Sequence, residues 1–301
     1  MAPPTTQPPA GGPLPLPQRL IALAQTLQFG WFIGHLTLLL ATLRYTISFI
    51  KFNTSTTAAV VSYRLGFLAC AVTYGIVVYK AYKARIRAAG TDRVALQQHA
   101  MAMAGDENVQ YLVMALIWLL TSPIYIALLP FTIYSTFHFL TYLRTALIPV
   151  ILPTPPPPAG VSAAPSSSSG SPQQAQPAKK GGANMVSEII SKFVKTHYEN
   201  SMSIVANLEL ALWVRLFLGC LIFYNSLVLL VIYTVFLRIR YAQSPFVRQA
   251  VSVAEGRMDG LVADPRVPPA ARNIWASVKD AARKFASYTE LAPVGGQRKA
   301  Q

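Results

Sequence analysis

The sequence predicts an all-α, polytopic integral membrane protein, made of helical hairpins with added interfacial amphipathic helices. Three observations predict it. First, hydrophobic residues make up 53% of the 301-residue chain and charged residues only 12%. That is about half the charged share of a soluble domain, so lipid is the solvent for much of the chain. Second, the apolar residues gather in runs of about twenty or more, the length that crosses a hydrocarbon core. Third, the formal net charge is +15, and the Lys and Arg residues flank the apolar runs. They do not interleave with aromatics on a soluble surface, so membrane contact is expected and nucleic acid is not.

Residues 1–17 are rich in Pro, Thr and Gly and read as a disordered tail. They lack the basic and then apolar pattern of a cleaved signal peptide, so insertion is expected to begin at the first apolar helix. An N-terminal membrane domain is expected over 18–152, with apolar helices at about 20–43, 58–79, 111–129 and 131–148. In the first of these, Gly30 and Gly34 form a small-xxx-small pattern that permits close helix–helix approach. Glycine is also simply common in membrane helices.

The polar loop 45–57 carries the sequon Asn53-Thr54-Ser55. The second apolar run ends in a basic cluster of Lys80, Lys83, Arg85, Arg87 and Arg93, opposed only by Asp92. The positive-inside rule puts that cluster and the N-terminus in the cytosol, and Asn53 in the lumen.

The apolar stretch 109–152 is too long for one crossing and contains Pro123 and Pro130. It reads as a hairpin with its break at Pro130, because proline interrupts the helical hydrogen-bond ladder. Residues 153–185 form a Pro/Ser-rich cytosolic linker, expected to be disordered.

Residues 186–240 read as an amphipathic helix, 186–197, followed by a second membrane hairpin. The hairpin is expected to turn near Asn225-Ser226, since a single crossing would leave Arg238 and Arg240 in the lumen. Its interior charges, Glu209 and Arg215, stand six positions apart and are not helical neighbours. Each is expected to face a cavity, another helix or the headgroups.

The remainder, 241–301, reads as a basic cytosolic tail with amphipathic helices. Ser244-Pro245 has the form of a helix start. After Pro268-Pro269, one helical face collects Ala271, Ile274, Val278, Ala281, Ala282, Phe285 and Tyr288, with Trp275 at its edge. Arg272, Lys279 and Arg283 cluster opposite. This is the pattern of a helix lying in the bilayer interface, its cations toward anionic headgroups. A surface helix packed on the rest of the protein is the alternative.

No catalytic, metal or cofactor motif occurs. GxSxG, P-loop, HExxH and CxxC signatures are absent. His35, His99, His138 and His197 lack metal-ligand spacing. Cys70 and Cys220 lie in apolar stretches and read as packing residues. Asp106 and Glu107 read as acids favouring a helix start. The chain is therefore expected not to be an enzyme.

Four segments together resemble the transmembrane protein 33 family: 24–35 (AQTLQFGWFIGH), 105–112 (GDENVQYL), 128–134 with 142–145 (LLPFTIY, YLRT), and 236–241 (FLRIRY). The resemblance runs from about 20 to 151 and from about 186 to 293. It implies a protein of the endoplasmic reticulum and nuclear envelope that associates with reticulon-type curvature proteins and nuclear pore components. The implied role is in membrane shape and in pore complex assembly or distribution. Two short hairpins and interfacial helices would occupy more area in the cytosolic leaflet than in the lumenal one, a physical route to curvature. Two other readings stand beside this one. A small transporter or channel would use Glu209, Arg215 and His35 along its path. A membrane-anchored adaptor would recruit a soluble partner, such as an import receptor, through the basic tail.

Overall fold

Apolar runs become helices here because only a helix satisfies its own backbone in hydrocarbon. The computed structural model describes residues 15–89, 97, 102–103, 105–152 and 182–288. Expectations for residues 1–14, for Asp92 and Arg93, for the linker 153–181 and for 289–301 lie outside the described residues. Among the described residues there is no strand. The helices are α1 (Leu16–Ala24), α2 (Leu27–Ile50), α3 (Thr57–Ala89), α4 (Glu107–Leu120), α5 (Tyr125–Tyr142), α6 (Gly182–Leu221), α7 (Leu227–Gln243), α8 (Pro245–Val262) and α9 (Pro269–Tyr288). A wider π-helical turn, Leu143–Leu147, and a last turn, Ile148–Ile151, prolong α5.

The helix starts follow capping chemistry. The side chains of Thr26, Asp106, Ser226 and Ser244 accept from the backbone N–H of Phe29, Asn108, Val228 and Val247, satisfying donors that a helix start leaves free. Among the described residues four helices are long and apolar enough to cross a membrane: Leu27–Ile50, Thr57–Ala88, Tyr125–Ile151 and Met185–Leu221. The pair α7 and α8 meets the same test together, with a bend of 108° at its break.

Three elements differ from the sequence reading. The first apolar run is not one helix over 20–43, and its main helix continues to Ile50, through the first part of the expected loop 45–57. It divides at Gln25 and Thr26, where the Thr26 hydroxyl caps α2 and also donates to the Leu23 carbonyl. The hairpin in 109–152 turns at Thr121–Ile124, and Pro130 lies inside α5. Proline disfavours helical backbone in the residue before it, and at Pro123 that effect coincides with the end of α4. Pro130 costs only one bond near the start of α5, a loss that membrane helices accommodate. Finally, the amphipathic stretch 186–197 and the following span form one continuous helix, α6, which begins inside the expected linker. No Pro or Gly stands between Met185 and Leu218 to break it.

The linker divides the chain in sequence but not in space. A single core joins Tyr63 and Phe67 of α3, Trp118 of α4, Phe131 of α5, Leu216 of α6 and Tyr233 of α7. α2 packs against α3 and α5, α3 against α4, α5 against α6, and α6 against α7 and α8. Gly34 sits at the α2–α3 crossing, where a Cβ would run into the Thr73 side chain; Gly30 faces open space. Trp31 meets His35 edge-on and His138 lies tilted against it, and His35 Nδ1 lies 2.8 Å from the Ser135 hydroxyl.

Two turns share an unusual detail. Phe52, after α2, and Phe223, after α6, have positive φ (53° and 56°) and are 97% and 96% exposed. Glycine normally fills such a helix-terminating position. A bulky residue there is strained.

Candidate membrane interface

Glu209 on α6 and Arg240 on α7 are both buried. Arg240 Nε lies 3.5 Å from Glu209 Oε2, an ion pair longer than a good hydrogen bond. The Tyr111 hydroxyl on α4 donates to Glu209 Oε1. Arg240 Nη1 donates to Glu107 Oε1 at 2.5 Å, and its guanidinium lies 5.3 Å from the centre of the Tyr111 ring. Tyr134 on α5 places its hydroxyl 3.2 Å from that of Tyr111. The Tyr233 hydroxyl donates to the Glu209 backbone carbonyl at 3.1 Å. Four helices thus converge on one buried acid–base pair. The cavity beside Glu209 is about 10 Å³, at the lower limit for one water.

This cluster marks the end of a short apolar band. α4 has 14 residues and rises about 21 Å, against a core of about 30 Å. α7 has 17 residues and rises about 25 Å. Just beyond Arg240 the chain turns by 108° at Ser244, so α8 runs nearly perpendicular to α7. If α7 follows the membrane normal, α8 lies along the surface. Val247 and Ala250 of α8 seat it on Ala206 of α6.

α9 then folds back on α8 through its polar side. Lys279 Nζ donates to Asp259 Oδ1 at 2.7 Å, and Trp275 Nε1 donates to the same oxygen at 2.6 Å. Arg283 lies 3.8 Å from Glu255. Arg272 donates to the Asp264 carbonyl at 3.0 Å. The hydrogen bonds from Lys279 and Trp275 hold the Asp259 carboxyl below its ordinary range. Ile274 and Val278 remain 65% and 50% exposed, and Phe285 is exposed on the same face. A helix packed on its own protein ordinarily turns its apolar face inward. This one does the reverse.

The structure therefore brings Arg272, Lys279, Arg283 and Trp275 to the α8 side, and leaves Ile274, Val278 and Phe285 on the outward side. The sequence assigned those three cations to headgroups; each also has a partner within the chain. Gly30 and Gly34 part company, with only Gly34 at a helix crossing. The Glu209–Arg240 pair was not foreseen. Its signal was present: fifteen residues separate Glu209 from Tyr224, and fifteen separate Asn225 from Arg240, so a hairpin turning there sets the two level. Among the described residues no group of three or more His, Cys, Asp and Glu is placed to hold a metal.

The family described as transmembrane protein 33/nucleoporin POM33 matches residues 18–287. "Nucleoporin POM33" of Chaetomium thermophilum is 44% identical over 287 residues, covering 94% of each chain. "Tetra-spanning protein 1" of Schizosaccharomyces pombe is 35% identical over 283 residues, 93% of this chain and 90% of that protein. "Pore membrane protein of 33 kDa" of Saccharomyces cerevisiae is 26% identical over 279 residues, 91% of this chain and 88% of that protein. No solved structure matches.

Proposed function

Because the chain belongs to the transmembrane protein 33/nucleoporin POM33 family, we propose that it is a non-enzymatic organiser of the nuclear pore membrane and the endoplasmic reticulum continuous with it. The names of the fungal relatives support the location and the link to nuclear pore components. The observation that carries the mechanism is the outward apolar face of α9, held in place by its polar side. With the basic ends of the spans and both termini in the cytosol, as the charge pattern expects, α8 and α9 lie on the cytosolic leaflet. Ile274, Val278 and Phe285 enter the interface there and widen that leaflet alone. The short α4 and α7 add a thinned bilayer beneath. Curved membrane is where such wedges bind best, which accounts for reticulon-type proteins as neighbours.

The transporter reading loses support from the cluster around Glu209, which pairs with Arg240 beside a cavity barely large enough for one water. The adaptor reading remains the competitor for the tail, with an import receptor as the partner.

The full chain reconstituted into vesicles of phosphatidylcholine with phosphatidylserine tests the proposal. Electron microscopy should show narrower vesicles or tubules as protein density rises. Ile274→Asp with Val278→Asp should restore the diameters of protein-free vesicles. Unchanged diameters with the unmodified chain would remove the curvature mechanism. If the double variant bent membranes normally but lost a soluble receptor, the adaptor reading would replace it.

A further inference from the structure

Three turns, the one after α2, the one after α4 and the one after α6, meet at the end of the bundle opposite α8. Between them lies a cavity of about 1030 Å³, bounded on one side by Tyr125 and Leu120 of the first hairpins and on the other by Arg215 and Leu229 of the last. Its volume is at the upper end of small-ligand sites. Its walls are mostly apolar, and Leu120 and Val228 in its lining are exposed large hydrophobics. In a membrane protein those residues face acyl chains.

One cation stands in this cavity. Arg215 projects from the last turns of α6, with its guanidinium 5.3 Å from the centre of the Tyr224 ring. Gly219 gives it room: a Cβ there would lie 2.8 Å from Arg215 Nη1 and would also strike the Asn225 amide. Arg215 has no ion-pair partner among the described residues. The sequence explains why. No Asp or Glu occurs in 1–91, in 108–130 or in 210–232, so this end of the bundle holds Arg44, Lys51, Arg64 and Arg215 without one acid. This end of the bundle can therefore accept an anion from outside the described residues. A second group is also unmet: the Thr121 hydroxyl, on the opposite wall, is enclosed and has no hydrogen-bond partner. Buried polar groups are ordinarily paired.

The geometry points to a glycerophospholipid as the occupant. Its phosphate pairs with Arg215, one acyl chain runs between the two halves along Leu120 and Leu229, and the enclosed Thr121 hydroxyl turns toward the cavity to donate to its ester region. An arginine fork suits a phosphate, and a charge-assisted contact of this kind is among the stronger ones. An acidic segment of another protein would satisfy Arg215 but has no use for an apolar cleft that opens toward acyl chains.

The test uses the full chain in phosphatidylcholine nanodiscs doped with phosphatidylcholine carrying a photoreactive acyl chain. A diacylglycerol with the same chain, lacking the phosphate, serves in parallel. Mass spectrometry should map phosphatidylcholine adducts to peptides within 117–129 and 215–232. Arg215→Ala and Arg215→Gln should each lower that labelling about tenfold, the loss of one charge-assisted contact. Arg215→Lys should lower it less, and Arg64→Ala, at the same end but not lining the cavity, should leave it unchanged. All three Arg215 variants should melt as the unmodified chain does, since the side chain is exposed. Equal labelling in Arg215→Ala would overturn the proposal. So would diacylglycerol labelling as strong as that of phosphatidylcholine, or an equal loss in Arg64→Ala.

Discussion

Arg240 is the residue on which most of the polar interior depends. It meets Glu209 on α6 and Glu107 on α4 while lying over the Tyr111 ring. Removing one member of a buried ion pair strands the other, typically at a cost of about 3–5 kcal/mol. Arg240→Leu should therefore lower stability in detergent by about that much, read as a fall in thermal midpoint. Glu107→Ala should cost about 1 kcal/mol or less, because the Glu107 side chain is 54% exposed and solvent screens it. Glu209→Leu combined with Arg240→Leu should recover much of the loss of the single arginine variant, since no unpaired charge is left. A double variant as unstable as the sum of its parts would show that the pair is not coupled. The sequence made Glu209 legible as a charge in need of a partner. It did not make Arg240 legible, because the reading compared charges along one helix and not across a turn. Glu107 was still further from view, 133 positions from Arg240 with two other helices and the linker between.

At the scale of elements, composition revealed which segments are helices, while single side chains decided where they end. Pro123 and Pro130 look alike in sequence. Only the end of α4, marked by its extended Thr121, separates them. Ser244 was readable as a helix start and Asn225-Ser226 as a turn, because capping and turn chemistry are local. The orientation of α9 was half readable: its two faces follow from helical spacing, but which face meets α8 depends on Asp259 and Glu255, which lie on another element. That arrangement carries a pH prediction. The Asp259 carboxyl is held below its ordinary value of 3.8, Lys279 being the main cause. A depressed acid stabilises the fold fully above its unfolded value and loses that contribution as pH falls through its folded value. α9 should therefore stay on α8 at pH 5 and above, and loosen only below about pH 4. Spin labels on the two helices would record the distance. Lys279→Ala should loosen α9 at neutral pH. If neither change moves the labels, the contact to α8 does not hold the helix.

For the whole molecule, one core joins helices from both sides of residues 153–181, so the two halves should recognise each other without a covalent connection. Two co-expressed fragments, 1–160 and 175–301, should assemble in the membrane and co-purify. Arg240→Leu in the second fragment should reduce recovery about tenfold or more, as follows from a loss of a few kcal/mol. Fragments that never associate would locate the union of the halves in the covalent connection. The shared polar pair also bears on biosynthesis. An arginine buried in the last turn of a short apolar helix is costly to leave without partners. Glu107 and Tyr111 precede Arg240 by more than a hundred residues, so they leave the ribosome first. When the last hairpin arrives, its cation finds an acid and an aromatic ring already in the membrane. The order of the two halves along the gene thus serves as a schedule: Glu107 and Tyr111 are made first, and the hairpin whose arginine docks on them is made second.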